Sequence, residues 1–171
     1  MGEQTARPPV SVVIPVLNAA PYLSDLFAAF ARQDPCPPDE VILVDSGSTD
    51  GTAALAARAP GVRVVPIERF SHGRSRNLGA RAAAGEIVVF LSQDALPADE
   101  RWLAELVAAF DDPRVAAAYS RQIPRPDRFP RTRVEGGAHR LGQIRLDVVP
   151  LLRNLVIRQN DLQLFHNPSP F

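Results

Sequence analysis

Three stretches of this chain put acids, amides and guanidinium groups at points where apolar runs stop: DSGSTDGT at 45–52, HGRSRNLGA at 72–80 and SQDALPADE at 92–100. An acid directly at the end of a buried strand has to be solvated or ligand-bound, because an unpaired buried carboxylate is costly. Asp45 is such an acid. In the same stretch Gly47 supplies a turn, and Ser48, Thr49 or Asp50 can cap the following helix by offering side-chain oxygens to its open N–H groups. Asp94 has two readings. It ends a strand, with Asp99 or Ala98 starting the next helix after Pro97; or it binds a divalent cation, with water and phosphate oxygens completing a hard-oxygen shell. In the second stretch His72 and Gly73 are expected in a loop, Ser75 as a cap, and Arg76, Asn77 and Gly79 in the first turns of a helix. An arginine there opposes the helix dipole. Arg76 is therefore either solvated or waiting for an outside anion, and a diphosphate matches a guanidinium fork.

The elements that must hold these residues are legible as five short runs: VSVVIPV at 10–16, VILVD at 41–45, VRVVPI at 62–67, IVVFLS at 87–92 and VAAAY at 115–119. Each is almost continuously apolar, as strands covered on both faces are. Between them, Leu23, Leu26, Phe27 and Phe30 share a helical face, as do Trp102, Leu103, Leu106, Val107 and Phe110. Strands alternating with helices predict an α/β fold with a mostly parallel sheet sandwiched by helices. In such sheets ligands bind outside the carboxyl ends of the strands. Those ends carry Pro15 and Asn18 after the first strand, Asp45 after the second, and Gln93 and Asp94 after the fourth. Beyond Arg121 the pattern fades into IPRPDRFPRTR, an extended connection, and 134–171 is expected to add a helix or two around LDVVPLLRNLVI.

At 171 residues, 46% of them hydrophobic, the chain has the size and core of one ordinary domain. Its 19 basic residues are all arginine and balance 19 acids. No overall field draws in nucleic acid, and any mechanism that needs a lysine is excluded. The charge is uneven, with 10 arginines against 15 acids up to Ser120 and 9 against 4 from Arg121 onward. That basic end could approach anionic lipid or a phosphorylated lipid acceptor, although a solvated face or packing is the plainer reading. The single Cys36 allows no internal disulfide, and no apolar stretch approaches the roughly 18 residues of a membrane span. A cytoplasmic location is expected.

PVLN, DSGSTDGT, HGRSRNLGA and FLSQDA, in this order and spacing, resemble the nucleotide-binding half of family 2 glycosyltransferases with the GT-A fold, which is Rossmann-like. The HG before the arginine and SQDA in place of an Asp-x-Asp motif look most like the rhamnosyltransferase branch. The resemblance spans about 10–126. It implies transfer of a sugar, rhamnose in that branch, from a nucleoside diphosphate sugar to an acceptor hydroxyl with inversion, assisted by Mg²⁺ or Mn²⁺. The acceptor would be a glycan or lipid-linked, as in cell-surface polysaccharide synthesis, with the chain at the inner face of the membrane.

Carried over by residue, the resemblance puts Pro15 and Asn18 at the nucleotide pocket. Asp45 contacts the base, with Ser46 and Asp50 in the same loop. Arg76 and Asn77 lie beside ribose and diphosphate, with His72 before them, and Gln93 joins the same nucleotide-sugar set. Asp94 is the metal ligand, and Ser92 stands where the family usually has a first acid. The expected division is a nucleotide-sugar-binding domain over 1–126 and a basic extension over 127–171. An inverting transfer also needs a general base on the acceptor side. The acids from Arg121 onward are Asp127, Glu135, Asp147 and Asp161, and none lies in a matching context, so the catalytic base is not identified. The alternative is a nucleotide-sugar-binding module without catalysis.

Other classes fail on specific residues. A phospho-acceptor domain requires a lysine. A haloacid-dehalogenase-like phosphatase requires an acid where Gly47 stands. PVLNAAPYL is not the glycine-rich turn of a dinucleotide site, and DSGSTDGT lacks the alternate acids of a calcium loop.

Overall fold

The computed structural model describes residues 7–35, 37–120, 137–140 and 155–159. The strands are β1 (Val10–Val16), β2 (Glu40–Asp45), β3 (Val62–Pro66), β4 (Ile87–Phe90), β5 (Val115–Tyr119), β6 (Gly137–Arg140) and β7 (Leu155–Arg158). Among them run helices α1 (Ala20–Ala31), α2 (Thr52–Ala56), α3 (His72–Ala82) and α4 (Trp102–Ala108), the last continued by a 3-10 turn over Ala109–Asp111. All five strands expected from the sequence are present, to within two residues at each end.

The sheet has the order β3-β2-β1-β4-β7-β5-β6. Its first four strands are parallel, with β1 at the centre of that half: Val16 stands beside Asp45 of β2, and Val13 beside Phe90 of β4. Side chains alternate across the pleat. Val12 and Ile14 pack with Leu23, Leu26 and Phe30 of α1 and Leu103 and Leu106 of α4. Val13 packs on the opposite face with Ile42, Val44 and Ala80 of α3. Both faces are covered, which is why these runs read as continuously apolar.

The C-terminal stretch departs from expectation. Its described residues form strands rather than helix, and β7 enters the middle of the sheet, antiparallel to both β4 and β5. Val156 and Ile157 are fully buried there. Periodicity over so short an apolar run does not distinguish strand from helix, and the two β-branched side chains suit a strand covered on both faces.

The close seat of α3 depends on Gly79. A Cβ there would lie 2.2 Å from Val13 Cγ1 and 3.0 Å from Val44 Cγ2. With that contact, the helix lies against β1 and β2, and its N-terminus points back toward their carboxyl ends.

Candidate functional site

Two loops at the carboxyl edge are tied together by the side chains of DSGSTDGT. Three successive amides leaving β1 are each met by one of them: Asn18 N–H by Ser48 Oγ at 2.9 Å, Ala19 N–H by Thr52 Oγ1 at 2.8 Å, and Ala20 N–H by Asp50 Oδ2 at 2.9 Å. Asn18 returns the contact, its Oδ1 accepting the Thr49 amide at 3.0 Å. The arrangement needs Asn18 in the left-handed region, at φ 50, which Asn tolerates better than most residues. Asp50 also accepts the Thr52 amide and hydroxyl through Oδ1. The capping role expected of Asp50 is thus present in its own helix and extends to α1. Thr52, fully buried, is a member that sequence alone does not single out; a hydroxyl at the start of a short helix is its local signal.

Asp45 ends β2 half-buried, and its Oδ1 accepts the Ser48 amide at 3.1 Å and the Ser48 hydroxyl at 2.5 Å. Beside it the Ser46 hydroxyl is buried without a hydrogen-bond partner. Pro15 lies one residue before the end of β1, half-buried.

On α3 the structure corrects the cap. Ser71, not Ser75, precedes the helix; His72 and Gly73 are its first residues rather than loop, and Ser75 lies a turn further in, fully buried with an unpartnered hydroxyl. The apolar packing of α3 on the sheet draws that face inward, so a serine there cannot reach the first open amides. Neither a capping side chain nor an acid occupies the first turn of α3. Arg76 is half-buried, with its Nη1 donating to the His72 carbonyl at 3.3 Å and its Nε buried without a partner. Burial lowers the pKa of its guanidinium from the ordinary value, a group that nonetheless stays protonated in proteins. His72 and Asn77 are exposed, and the His72 ring meets Phe70 edge-on at 4.8 Å.

After β4 the ladder continues for one rung, Leu91 N–H to the Val13 carbonyl at 3.0 Å. Gln93 then grips Leu17 from across the edge, accepting its amide at 2.9 Å and donating to its carbonyl at 3.2 Å. Asp94 follows, exposed. Between β2 and β4 lies only β1, so the Asp45 and Asp94 chains leave the sheet about 10 Å apart. No cluster of three or more His, Cys, Asp or Glu side chains that could cage a metal exists among the described residues. A single carboxylate such as that of Asp94 could hold a hard cation that arrives with phosphate oxygens and keeps water ligands, and does not suit a metal held by protein alone.

The structure therefore brings Pro15, Asn18, Asp45, Ser46, Asp50, Gln93 and Asp94 to one edge of the sheet, while Arg76 stands early in α3, with its Nη1 on the His72 carbonyl of the same helix. Asp127, Glu135, Asp147 and Asp161 lie outside the described residues. A concavity at the end of α1, lined by Arg32, Gln33 and residues 97–101, contains none of the site residues. No helix among the described residues is long and apolar enough to cross a membrane.

Fold and edge together define a GT-A-type α/β domain with its polar groups at the carboxyl ends of parallel strands. The sequence model of glycosyl transferase family 2 matches residues 11–165, and the chain belongs to that family. It is 36% identical over 124 residues to the O-antigen chain rhamnosyltransferase RfbN of Salmonella typhimurium, a match covering 71% of this chain and 39% of that protein. The match thus spans about two fifths of the length of that relative and of the O-antigen chain rhamnosyltransferase WbaN of Salmonella anatum. Among solved structures it is similar to a mannosyltransferase of Pyrobaculum calidifontis in complex with GDP-Man and Mn²⁺, with a TM-score of 0.61 and 34% identity over 69% of this chain and 37% of that one. It is also similar to Staphylococcus aureus TarS in complex with UDP-GlcNAc, with a TM-score of 0.60 and 26% identity over 72% of this chain and 37% of that one.

Proposed function

We propose that this chain carries the donor site of an inverting glycosyltransferase, which moves a sugar from a nucleoside diphosphate sugar to an acceptor hydroxyl with a divalent cation, Mg²⁺ or Mn²⁺, bound at Asp94. The observation that supports this reading is that Asp45 ends β2 and the Gln93–Asp94 pair follows β4 at the carboxyl ends of parallel strands, with the half-buried Arg76 early in the helix after β3, in a family 2 chain. Asp45 and Ser46 receive the base, while Pro15, Asn18 and Asp50 line or brace the same pocket. His72, Arg76 and Asn77 lie along ribose and diphosphate, with Gln93 at the metal side. Arg76 suits that role because a guanidinium carries a fixed positive charge and a fork of donors that matches phosphate oxygens. A bound cation would offset the charge that develops on the leaving diphosphate. Arg76 adds a second positive charge whose position is set before reaction.

The resemblance to an O-antigen chain rhamnosyltransferase supports rhamnose as the sugar and a glycan or lipid-linked acceptor. In this reading 1–126 is the nucleotide-sugar domain, and 127–171 is a basic extension that lends strands to its sheet and contacts the membrane peripherally from the cytoplasm. Isothermal titration of UDP, GDP and dTDP, with and without Mn²⁺ or Mg²⁺, on the wild type and Asp94→Ala tests the site. Metal is expected to strengthen binding in the wild type and not in the variant; equal metal effects in both would remove Asp94 from the site. Incubation with dTDP-rhamnose then separates the two readings of the chain. Released nucleotide supports the transferase, and tight donor binding without release or transfer supports a binding module that lacks its catalytic base.

A further inference from the structure

We infer that Gln93 is a positioning residue that sets the place of Asp94 by holding the main chain of Leu17 with both ends of its amide. This rests on the reading of Asp94 as a cation ligand. The β1–β4 ladder ends with the Leu91 amide on the Val13 carbonyl, and past that rung the two chains no longer pair through their backbones. The Gln93 side chain takes the place of the next strand residue: its Oε1 accepts the Leu17 amide at 2.9 Å and its Nε2 donates to the Leu17 carbonyl at 3.2 Å. Leu17 adjoins Asn18, whose amide and side chain are fastened to Ser48 and Thr49 in the Asp45 loop. The residue next to Asp94 is thus joined through one loop to the loop of Asp45, and the metal and base ends of the site share a frame.

A primary amide places a donor and an acceptor side by side on separate atoms of one planar group. Leu17 is 48% exposed, so water can replace the amide when it is removed. Its loss should release the Asp94 loop while leaving the fold intact.

The test is a Mn²⁺ titration, followed by calorimetry and by the electron paramagnetic resonance signal of free Mn²⁺. It uses wild type, Gln93→Met, Gln93→Asn and Asp94→Ala, each saturated with whichever of UDP, GDP and dTDP the wild type binds most tightly. Metal-free nucleotide binding and thermal melting are measured in parallel. Gln93→Met should lower Mn²⁺ affinity by about tenfold or more, the range seen when a partner that orients a metal ligand is lost. Its melting temperature should stay close to wild type, and any fall in its metal-free nucleotide affinity should be smaller than the fall in its Mn²⁺ affinity. Gln93→Asn keeps the amide but is one methylene too short to make both contacts, and should fall between; it carries the test if Gln93→Met does not fold. Wild-type Mn²⁺ affinity in the Gln93 variants, with affinity lost in Asp94→Ala, overturns the inference alone. Equal losses of metal and metal-free nucleotide binding also overturn it, since they indicate a purely structural role. Wild-type Mn²⁺ affinity in Asp94→Ala removes the donor-site reading and this inference with it.

Discussion

The carboxylate of Asp50 caps a helix that begins thirty residues before it: Oδ2 accepts the Ala20 amide at 2.9 Å, while Oδ1 holds the Thr52 amide in the helix that Asp50 itself precedes. One side chain therefore serves the N-termini of α1 and α2, both at the site edge, where a negative charge is favoured by the helix dipoles.

That double cap makes stability depend on acid. The Thr52 hydroxyl, followed by the Ala20 and Thr52 amides, holds the Asp50 carboxyl below the usual carboxylate range against the opposing pull of desolvation. A folded-state pKa below the unfolded one gives stability that is present above the unfolded value, about 3.9, and lost as pH falls through the folded value. The melting-temperature gap between wild type and Asp50→Asn should be widest near neutrality and close below about pH 4. Melts across this range measure it, and a gap undiminished at the acid end would contradict the cap.

Thr52→Val should destabilise the fold by about 1–3 kcal/mol, because it leaves the Ala19 amide of the buried Ala19–Thr52 pair without an acceptor. Thr52→Ser keeps the oxygen and should recover most of that loss. Urea denaturation of both variants measures the difference, and a larger loss in Thr52→Ser than in Thr52→Val would point to packing of the methyl group instead.

Gly79→Ala should cost about 1–3 kcal/mol by overpacking. The new methyl group would overlap Val13 Cγ1, at 2.2 Å, and can be accommodated only if α3 moves off the sheet. A change under about 0.5 kcal/mol in chemical denaturation, the size of an ordinary surface substitution, would mean that α3 is seated less tightly than described.

Arg76→Met separates binding from folding. The buried Nε has no partner in the protein, so the apolar replacement should leave thermal stability unchanged or raise it. It should also weaken nucleoside diphosphate binding by about tenfold, the loss of one charge-assisted contact, while leaving binding of the bare nucleoside unchanged. Calorimetry with UDP against uridine, or the corresponding pair for the preferred base, provides the comparison. Equal loss for both ligands would place Arg76 away from the phosphates.

The sequence reading and the structure agree most closely where the information is local. The face of α1 formed by Leu23, Leu26 and Phe30 is buried as its spacing requires, and β1 and β5 begin and end where the apolar runs do. The reading erred at Ser75, which belongs to a packed helix face rather than a cap, because a serine beside a predicted helix start carries no mark of which turn it will occupy. Asp45, Asp50 and Asp94 were legible as polar residues following apolar strands, but the partners of their loops were not.

The order of motifs along the chain was enough to determine the parallel strands of the sheet and the edge where its polar residues gather, since continuous apolar runs and helical spacing are properties of a few neighbouring residues. Only the tertiary structure decided that β7 enters between β4 and β5, that Asp50 caps α1, and that Gln93 pairs with Leu17. Those contacts join residues thirty to seventy-six positions apart in the case of the two side chains. A hydrogen bond depends on distance and direction in space, and these are set only when the sheet has formed.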